Sequence, residues 1–505
     1  MKAHLMHLDR DFDLRQEPPR HERALMADLE LETLLRAMSR GDHFLYEVGR
    51  SALLTGLQND PATIRHRQEI LKDSFRHPAV VRSLYDLAVE VIEQRRTHGF
   101  GYFRRYPGGI LHESIGLLEI FLMRLRNLRG IADAQAPGFD SPGFVALFEL
   151  LQRELTDDYF GTLENHLREL KFDRGVLMSA ELGKGNEGRN YVLRLSREQK
   201  PHWIRLLFRR GPPPFTYHVP DRDEAGARAL SELRDRGINL VANALAQSTE
   251  HILSFFVMLR TELAFYVGCL NLHDALAPLG ARVCIPRPEA AGSRAHRFAG
   301  LYDVCLALTM ERGVVGNAVD AGGKSLVVIT GANQGGKSTF LRSIGLAQLM
   351  MQSGMFVAAE SFAAELCAGL FTHYSREEDA TMKHGKLDEE LARMSDIVDA
   401  LAPNALLLFN ESFASTNERE GSEIARQIVR ALLEHRIKVF FVTHLYDFAH
   451  GLAEEKAADA LFLRAERRPD GTRTFGLIEG DPLETSYGLD VYREVFGEAT
   501  LATER

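Results

Sequence analysis

The segment ITGANQGGKST, residues 329–339, limits the possible folds of this chain more than any other segment. It matches the pattern G-x-x-x-x-G-K-[ST] at every defined position. An apolar run (residues 325–329) leads into it, and a helix-like run (residues 340–351) follows it. A strand, a glycine-rich turn and a helix start in this order form a phosphate-binding loop. The sequence therefore predicts an α/β domain with an anion site at the start of a helix.

The residue types within this loop predict its ligand. In such a loop the backbone N–H groups and the helix N-terminus face the anion. We expect Lys337 to reach the β- and γ-phosphates of ATP, and the Ser338 hydroxyl to ligate Mg²⁺. The predicted nucleotide-binding residues are Gly331, Asn333, Gly335, Gly336, Lys337, Ser338 and Thr339.

Two further apolar runs end in polar residues that suit ATP hydrolysis. Asn410 and Glu411 follow the run at 405–409, where P-loop ATPases carry a metal-side acid and then a water-polarising carboxylate. Glu411 fits the second role, whereas Asn410 lacks the charge of the first. The predicted metal-side residues are Ser338, Asn410 and Glu411, and the predicted catalytic residues are Lys337, Glu411 and His444. The alternative is a core strand that simply ends in two polar residues.

His444 follows the apolar run at 438–442, at a strand end that opens into the ligand crevice of doubly wound folds. We expect it to sense the γ-phosphate or the attacking water. The alternative is a histidine that only packs within the protein or lies on its surface.

The composition limits the number of domains and the classes of protein to which the chain can belong. A chain of 505 residues with 45% hydrophobic residues can bury two to four domains. Its four cysteines show no C-x-x-C spacing, which is typical of reduced thiols in a cytoplasmic protein. We find no signal-peptide core and no apolar run that approaches a membrane span, so we expect no membrane contact. A net charge of −9 excludes a histone-like polycation but leaves room for a local basic face.

The pattern changes along the chain divide it into four segments. Residues 1–171 read as amphipathic helices, and residues 172–222 as short β-like runs, including 215–219, between glycine- and proline-rich turns. Residues 223–285 return to helix, and residues 286–505 form the domain with the phosphate loop.

Basic residues are concentrated between positions 189 and 210, where seven Arg and Lys residues accompany a single acid. Basic side chains on β-structure with no base-reading motif suggest contact with the nucleic-acid backbone. The alternative is an ordinary solvated basic face. The predicted DNA-binding residues are Arg194, Arg205, Arg209 and Arg210.

These motifs together resemble a known family. The loop GANQGGKSTFLRSIG, the strand LLLFNE, the segment FASTNEREG, the VTH ending and the late SYGLDVYREVF are similar, in order and spacing, to the ATPase domain of the MutS family. The resemblance is strong over residues 301–496 and weaker upstream, where LQNDPATIRHRQEILKDSF looks like the start of the family's helical core. It implies an ABC-type ATPase of DNA repair or recombination, using ATP and Mg²⁺, that works as a homodimer.

The chain also departs from the family pattern. We find no mismatch-reading segment ahead of the helical region, and Asn410 stands where the family has an aspartate. The residues 385–387 fall where the family carries a Ser-Thr-Phe signature that contacts the partner's γ-phosphate. Lys383, His384 or Lys386 could supply a different anion contact there. We therefore expect a divergent, shortened member that does not read mismatches specifically.

The resemblance predicts a multidomain chain: an α-helical lever domain with a small β-rich clamp-like insertion, then an α/β ABC-type P-loop ATPase domain. We expect slow, DNA-stimulated ATP hydrolysis and a homodimeric clamp that contacts DNA by its backbone and selects structure rather than sequence. Two alternatives stay open. One is an ABC ATPase of the SMC or RecN type, which the absence of a long heptad arm disfavours. The other is a nucleotide-gated scaffold with little turnover, which Asn410 favours.

Overall fold

The computed structural model describes residues 2–97, 106–173, 175–194, 216–220, 222–376, 385–455, 459–468 and 472–483. The helices among these residues are α1 (Glu22–Asp28), α2 (Leu31–Ser39), α3 (His43–Thr55), α4 (Pro61–Arg76), α5 (Pro78–Thr97), α6 (Pro107–Gln135), α7 (Pro142–Glu154), α8 (Asp157–Leu170), α9 (Glu224–Leu276), α10 (Val304–Met310), α11 (Lys337–Gln352), α12 (Lys386–Ala400), α13 (Glu418–Glu434) and α14 (Tyr446–Glu454). The strands are β1 (Met178–Leu182), β2 (Gly188–Leu193), β3 (Arg287–Glu289), β4 (His296–Leu301), β5 (Asn317–Asp320), β6 (Leu326–Thr330), β7 (Ser361–Glu365), β8 (Leu370–Tyr374), β9 (Leu406–Asn410), β10 (Lys438–Val442), β11 (Ala460–Arg467) and β12 (Arg473–Glu479).

The chain folds into two compact units. The first contains residues 1–3, 83–139 and 145–260, and the second contains residues 4–82, 140–144 and 261–505. The sequence placed residues 4–82 in the helical first segment, whereas in the structure they pack with the phosphate-loop region. The domain boundaries read from the sequence therefore stay a prediction.

A buried polar network explains why the N-terminal residues belong to the second unit. Glu262, on α9, accepts hydrogen bonds from the backbone N–H of Met6 and of Phe12, both at 2.6 Å. The Arg67 guanidinium, on α4, donates to the carbonyls of Met6 and of Ser353, which follows α11. Buried charges hold a fold together when they are fully hydrogen-bonded in this way. This network was not visible in the sequence, because its members are separated by up to 286 residues.

The first unit is mainly helical. Its core includes Phe121, Leu125 and Phe148, which are fully or almost fully buried. Strands β1 and β2 pair in antiparallel fashion and form a hairpin within the predicted β-rich segment. Residues 216–219 do not form the strand that the sequence suggested. Prolines that lack a backbone donor flank this stretch, at positions 212–214 and 220, and they disfavour a ladder there.

A sheet of six described strands forms the centre of the second unit, in the order β12-β11-β6-β10-β9-β8. Strands β11, β6, β10, β9 and β8 run parallel, and β12 is antiparallel to β11. Every residue of β6 and β10 is buried, as expected for central parallel strands covered on both faces. A second sheet has the order β3-β7-β4-β5, so the predicted connector at 286–296 contains strand β3. The coarse prediction of a helical part and an α/β part is confirmed.

The helix predicted within residues 223–285 is present as α9, with a short 3₁₀ turn over Ala277–Leu279 at its end. By length and composition, Glu224–Leu279 contains an apolar 18-residue window that could cross a membrane. The expectation that no run approaches a membrane span was therefore wrong. However, 67% of that window is buried within the protein, which is the pattern of a core helix.

Candidate nucleotide site

The loop between β6 and α11 has the backbone conformation that its glycines allow. Gly331 has φ +111° and Gly336 has φ +87°, and Lys337 is the first residue of α11. A side chain at Gly331 would come within 2.8 Å of the backbone nitrogen of Ala465, so this glycine is required by close packing. The free N–H groups at the start of α11 are oriented to receive an anion.

A cavity of about 580 Å³ opens beside this loop. Asn333, Gly335, Gly336, Lys337, Ser338 and Thr339 line it together with Glu411, and Gly331 is not among the lining residues. The rest of the lining is largely apolar and includes Leu306, Met310, Val314, Val315 and Phe475. A polar lining from the loop together with this apolar lining suits an amphipathic ligand such as a nucleotide.

Lys337 is almost completely buried, with 4% of its surface exposed. Its ammonium group donates hydrogen bonds of 3.0 Å to the carbonyls of Gly331 and Ala332. Burial lowers the pKa of Lys337 to about 8, Glu411 opposes this shift and Arg473 adds to it. The lysine therefore lies in its own loop as a partly desolvated cation, a state that a bound polyphosphate would stabilise.

Ser338 and Asn410 meet at the ends of α11 and β9. The Ser338 hydroxyl donates to the Asn410 side-chain oxygen at 2.8 Å. Both groups present the oxygen atoms that Mg²⁺ prefers, and Mg²⁺ usually takes most of its remaining ligands from water and phosphate. In the described part of the chain there is no cluster of three or more His, Cys, Asp or Glu side chains that could bind a metal without such help. The pair fits a phosphate-bound Mg²⁺, with one charge fewer than an Asp would give.

Glu411 and His444 form a hydrogen-bonded pair at the carboxyl edge of the sheet. The His444 Nε2 donates to the Glu411 carboxylate at 2.9 Å. This hydrogen bond is the main cause of a lowered pKa for Glu411, and Lys337 contributes as well. The carboxylate is therefore ionised and faces the cavity. The structure brings together these two residues as the sequence predicted, because β9 and β10 are adjacent and parallel.

The turn that carries Glu411 is held in an unusual conformation. Glu411 has φ +55° and Phe413 has φ +63°, a region that costs side-chain-bearing residues about 1–3 kcal/mol. The Glu411 backbone N–H donates a hydrogen bond to the carbonyl of Val442 at 2.9 Å. The Glu390 carboxylate, on α12, accepts from the N–H of Phe413 at 2.7 Å. Strain of this kind persists only where the surroundings fix it.

His373 supports the same turn from β8. Its Nε2 lies 2.9 Å from the carbonyl of Glu390, which can only accept, so Nε2 carries the proton. Burial lowers the pKa of His373 to about 4, so the ring is neutral. The Ser412 hydroxyl lies 2.7 Å from both the His373 Nδ1 and the His373 carbonyl, two acceptors that compete for its single proton. No local pattern in the sequence marks Glu390, His373 or Ser412, because only the folded sheet brings them beneath the turn.

The predicted DNA-binding residues are only partly described. Arg194 follows β2, is exposed, and donates to the Ser179 hydroxyl at 2.8 Å. Arg205, Arg209 and Arg210 lie outside the described residues, as do Lys383 and His384. Lys386 is the first residue of α12. The assignment of these residues to DNA or phosphate stays a prediction.

Comparison with known families agrees with this geometry. The model of the MutS2 N-terminal domain matches residues 59–279, and the model of MutS domain V matches residues 327–499. The second match contains α11, β9 and β10 with the site residues described above. The chain belongs to the MutS family.

Individual members are similar at modest identity. The mouse (Mus musculus) protein named MutS protein homolog 4 is 27% identical over 281 residues, which are 53% of this chain and 28% of that protein. The DNA mismatch repair protein MutS of Thermus aquaticus is 31% identical over 231 residues, 46% of this chain and 28% of that protein. The protein of the same name from Natronomonas pharaonis is 27% identical over 282 residues, 55% of this chain and 32% of that protein. The matches span about a third or less of these relatives, so this chain is a divergent member.

Proposed function

We propose that this MutS-family chain is an ATPase that binds DNA in repair or recombination. MutS-family proteins are ATPases, and this chain matches their domain V. The observation that carries the proposal is the Glu411–His444 pair: the Glu411 carboxylate lines the same cavity as the phosphate loop, and His444, which does not line the cavity, bonds that carboxylate. A carboxylate that is ionised and oriented by a histidine can position a water molecule for attack on a γ-phosphate.

Each residue of the site has a proposed role. Lys337 leaves its two loop carbonyls and binds the β- and γ-phosphates, where its charge is compensated. The Ser338 and Asn410 oxygens would hold Mg²⁺, and the bound ion would neutralise charge on the phosphates. Glu411 orients the attacking water, and His444 fixes the Glu411 carboxylate. Gly335, Gly336, Asn333 and Thr339 line the phosphate side, and Gly331 permits the close turn.

The proposal includes a homodimer in the cytoplasm, in which a second copy completes each nucleotide site. MutS homologues work as dimers, and a shared site makes hydrolysis depend on protein concentration. Light scattering with the Glu411→Gln variant, which should retain ATP, tests this point. An ATP-dependent doubling of mass supports the dimer, and a monomer at all concentrations with full turnover by the wild type contradicts it.

DNA binding is proposed to use the backbone rather than base sequence. The exposed β1–β2 hairpin carries Arg189 and Arg194, and the basic segment that follows it extends to Arg210. Contacts of this kind respond to DNA shape and to salt. We propose that the clamp selects branched or otherwise structured DNA and discriminates mismatched from matched duplex only weakly.

A steady-state ATPase assay tests the whole proposal. Turnover is measured alone and with duplex, mismatched, branched and single-stranded DNA. We expect slow hydrolysis that DNA stimulates, and we expect Lys337→Ala to abolish it. Activity in Lys337→Ala equal to that of the wild type would show that the assignment of the nucleotide site is wrong.

A second candidate function rests on Asn410. A carboxamide in place of a metal-side carboxylate weakens Mg²⁺ binding, by about 1–2 kcal/mol if one charged hydrogen bond is lost. The chain would then act as a nucleotide-gated scaffold that binds ATP with little turnover. Tight ATP binding with no detectable phosphate release, with or without DNA, favours the scaffold over the enzyme.

A further inference from the structure

The hairpin of β11 and β12 packs directly against the phosphate loop. A side chain at Gly335 would lie 2.7 Å from the Ala465 Cβ, and one at Gly336 would lie 3.5 Å from the Phe475 carbonyl. Arg473 is the first residue of β12. The hairpin therefore places a cation at the loop that no local motif in the sequence indicates.

The Arg473 guanidinium reaches the loop itself. It donates a hydrogen bond of 2.8 Å to the side-chain oxygen of Gln334. Gln334 lines the cavity, and Arg473 contacts it from the hairpin without lining the cavity itself. In the described part of the chain, this neutral amide is the only hydrogen-bond partner of the Arg473 side chain, and no carboxylate pairs with it.

Two cations therefore lie at the same loop, and in the described part of the chain no carboxylate pairs with Arg473. Burial is the main cause of the lowered Lys337 pKa, Glu411 partly offsets it, and Arg473 is close enough to add to it. Like charges that converge in a partly desolvated site are unfavourable until an anion joins them. Arginine is well suited to that anion, since its planar guanidinium binds phosphate oxygens in pairs.

We infer that Arg473 is a phosphate-binding residue of the nucleotide site, which exchanges its hydrogen bond with Gln334 for one with the terminal phosphate of ATP. The inference rests on the proposed function, because it needs a nucleoside triphosphate in the cavity. The terminal phosphate is favoured because Arg473 faces Lys337, whose place in such loops is at the β- and γ-phosphates.

The competing role for Arg473 is mechanical: it would hold the hairpin on the loop through Gln334. The two roles differ in what they do to ATP and ADP. If Arg473 contacts the terminal phosphate, its removal lowers ATP affinity and leaves ADP affinity nearly unchanged. If Arg473 is a mechanical clamp, its removal lowers both affinities by the same factor, and removal of Gln334 has the same effect.

The test is equilibrium binding of fluorescent ATP and ADP analogues to the full chain with Mg²⁺. The variants are Arg473→Ala, Arg473→Lys and Gln334→Ala. Arg468→Ala is the matched control, because it removes the same charge from the same hairpin and its described contacts stay within the hairpin. We expect Arg473→Ala to weaken ATP binding by about tenfold, the scale of one hydrogen bond to a charged group, and to change ADP binding by less than about twofold.

The conservative variant Arg473→Lys should recover part of the ATP affinity, and Arg468→Ala should bind as the wild type does. Gln334→Ala should change ATP and ADP affinity by equal factors. If Arg473→Ala also lowers both affinities equally and matches Gln334→Ala, the residue is a clamp and the inference is wrong. It is equally wrong if Arg473→Ala binds ATP as the wild type does while Lys337→Ala does not. If the wild type and Lys337→Ala bind ATP alike, the proposed nucleotide site itself fails.

Discussion

The depressed pKa of Lys337 predicts a specific pH dependence for ATP binding. In the free protein burial lowers the pKa of this lysine to about 8, from an ordinary value of 10.5. A bound triphosphate favours the charged form and raises the pKa again. ATP binding must therefore take up a proton wherever the free lysine is neutral, which is the range above pH 8.

The magnitude follows from the fraction of protonated lysine. With a free pKa of about 8, the uptake is about 0.1 proton per ATP at pH 7 and about 0.9 proton at pH 9. ATP affinity is nearly constant below pH 7.5, falls by about fivefold between pH 8 and pH 9 and approaches a tenfold loss per pH unit above 9, so that about thirtyfold is lost between pH 7 and pH 9.5. The terminal phosphate, with a second pKa of about 6, is largely ionised at pH 7 and fully ionised at pH 9, so the proton uptake at pH 9 reflects the lysine.

Isothermal titration calorimetry at pH 7 and pH 9, in buffers with different heats of ionisation, measures the proton uptake directly. Lys337→Arg is the control, since a guanidinium stays charged throughout and its ATP affinity should be independent of pH. Burial also lowers the pKa of Lys438 to about 8, but Lys438 bonds the Arg294 carbonyl and is absent from the cavity lining. The arginine variant keeps Lys438, so any remaining slope would be due to that residue.

Unfolding of the protein would not account for the loss of ATP affinity above pH 8. A lysine with a folded pKa below its unfolded value binds fewer protons in the folded state. Its contribution to the free energy of unfolding therefore rises as the pH increases from 8 to 10.5. A loss of ATP affinity over this window reflects the site and not a loss of fold. Equal proton uptake at pH 7 and pH 9, or the same slope in Lys337→Arg, would refute the reasoning.

Three further predictions follow from the site and the chain. Asn410→Asp should strengthen Mg²⁺-dependent ATP binding and raise turnover, measured as ATPase rate against Mg²⁺ concentration; an unchanged Mg²⁺ dependence would place the metal elsewhere. Glu390→Ala should lower kcat at least about tenfold with little change in ATP affinity, because the turn that carries Glu411 loses a charged hydrogen bond. The conservative variant Glu390→Gln should retain part of the rate. Equal losses in kcat and in ATP affinity would instead indicate general damage to the fold. Replacing three of the predicted DNA contacts, Arg205, Arg209 and Arg210, by Ala should weaken binding to all DNA sequences alike and reduce the salt slope by about one unit per lost phosphate contact in gel-shift titrations. An unchanged slope would mean that these three residues belong to an ordinary solvated basic face.

The sequence predicted those parts of the site that adjacent residues encode. The glycine-rich loop, Asn410 with Glu411, and His444 all follow strands whose apolar runs are visible in the sequence. The rule that parallel strands end at one edge of a sheet brought them together. The Ser338–Asn410 and Glu411–His444 contacts in the structure agree with that reasoning.

The remaining features depend on contacts between segments that are remote in sequence. Arg473 meets Gln334 across 139 residues, and Arg67 meets Ser353 across 286 residues. No local pattern marks such partners, because each is an ordinary charged or polar residue until the fold places it. The positive φ of Glu411 was equally hidden, since it results from bonds to the neighbouring strand and helix rather than from a glycine.

The central claim is that Glu411 acts on ATP held by Lys337. The most direct measurement is the identity of the nucleotide bound to purified protein after incubation with ATP and Mg²⁺, followed over time by chromatography of quenched samples. The account predicts conversion to ADP on the wild type, ATP retained on Glu411→Gln with conversion slowed by orders of magnitude, and no nucleotide on Lys337→Ala. Conversion on Glu411→Gln at the wild-type rate would contradict it.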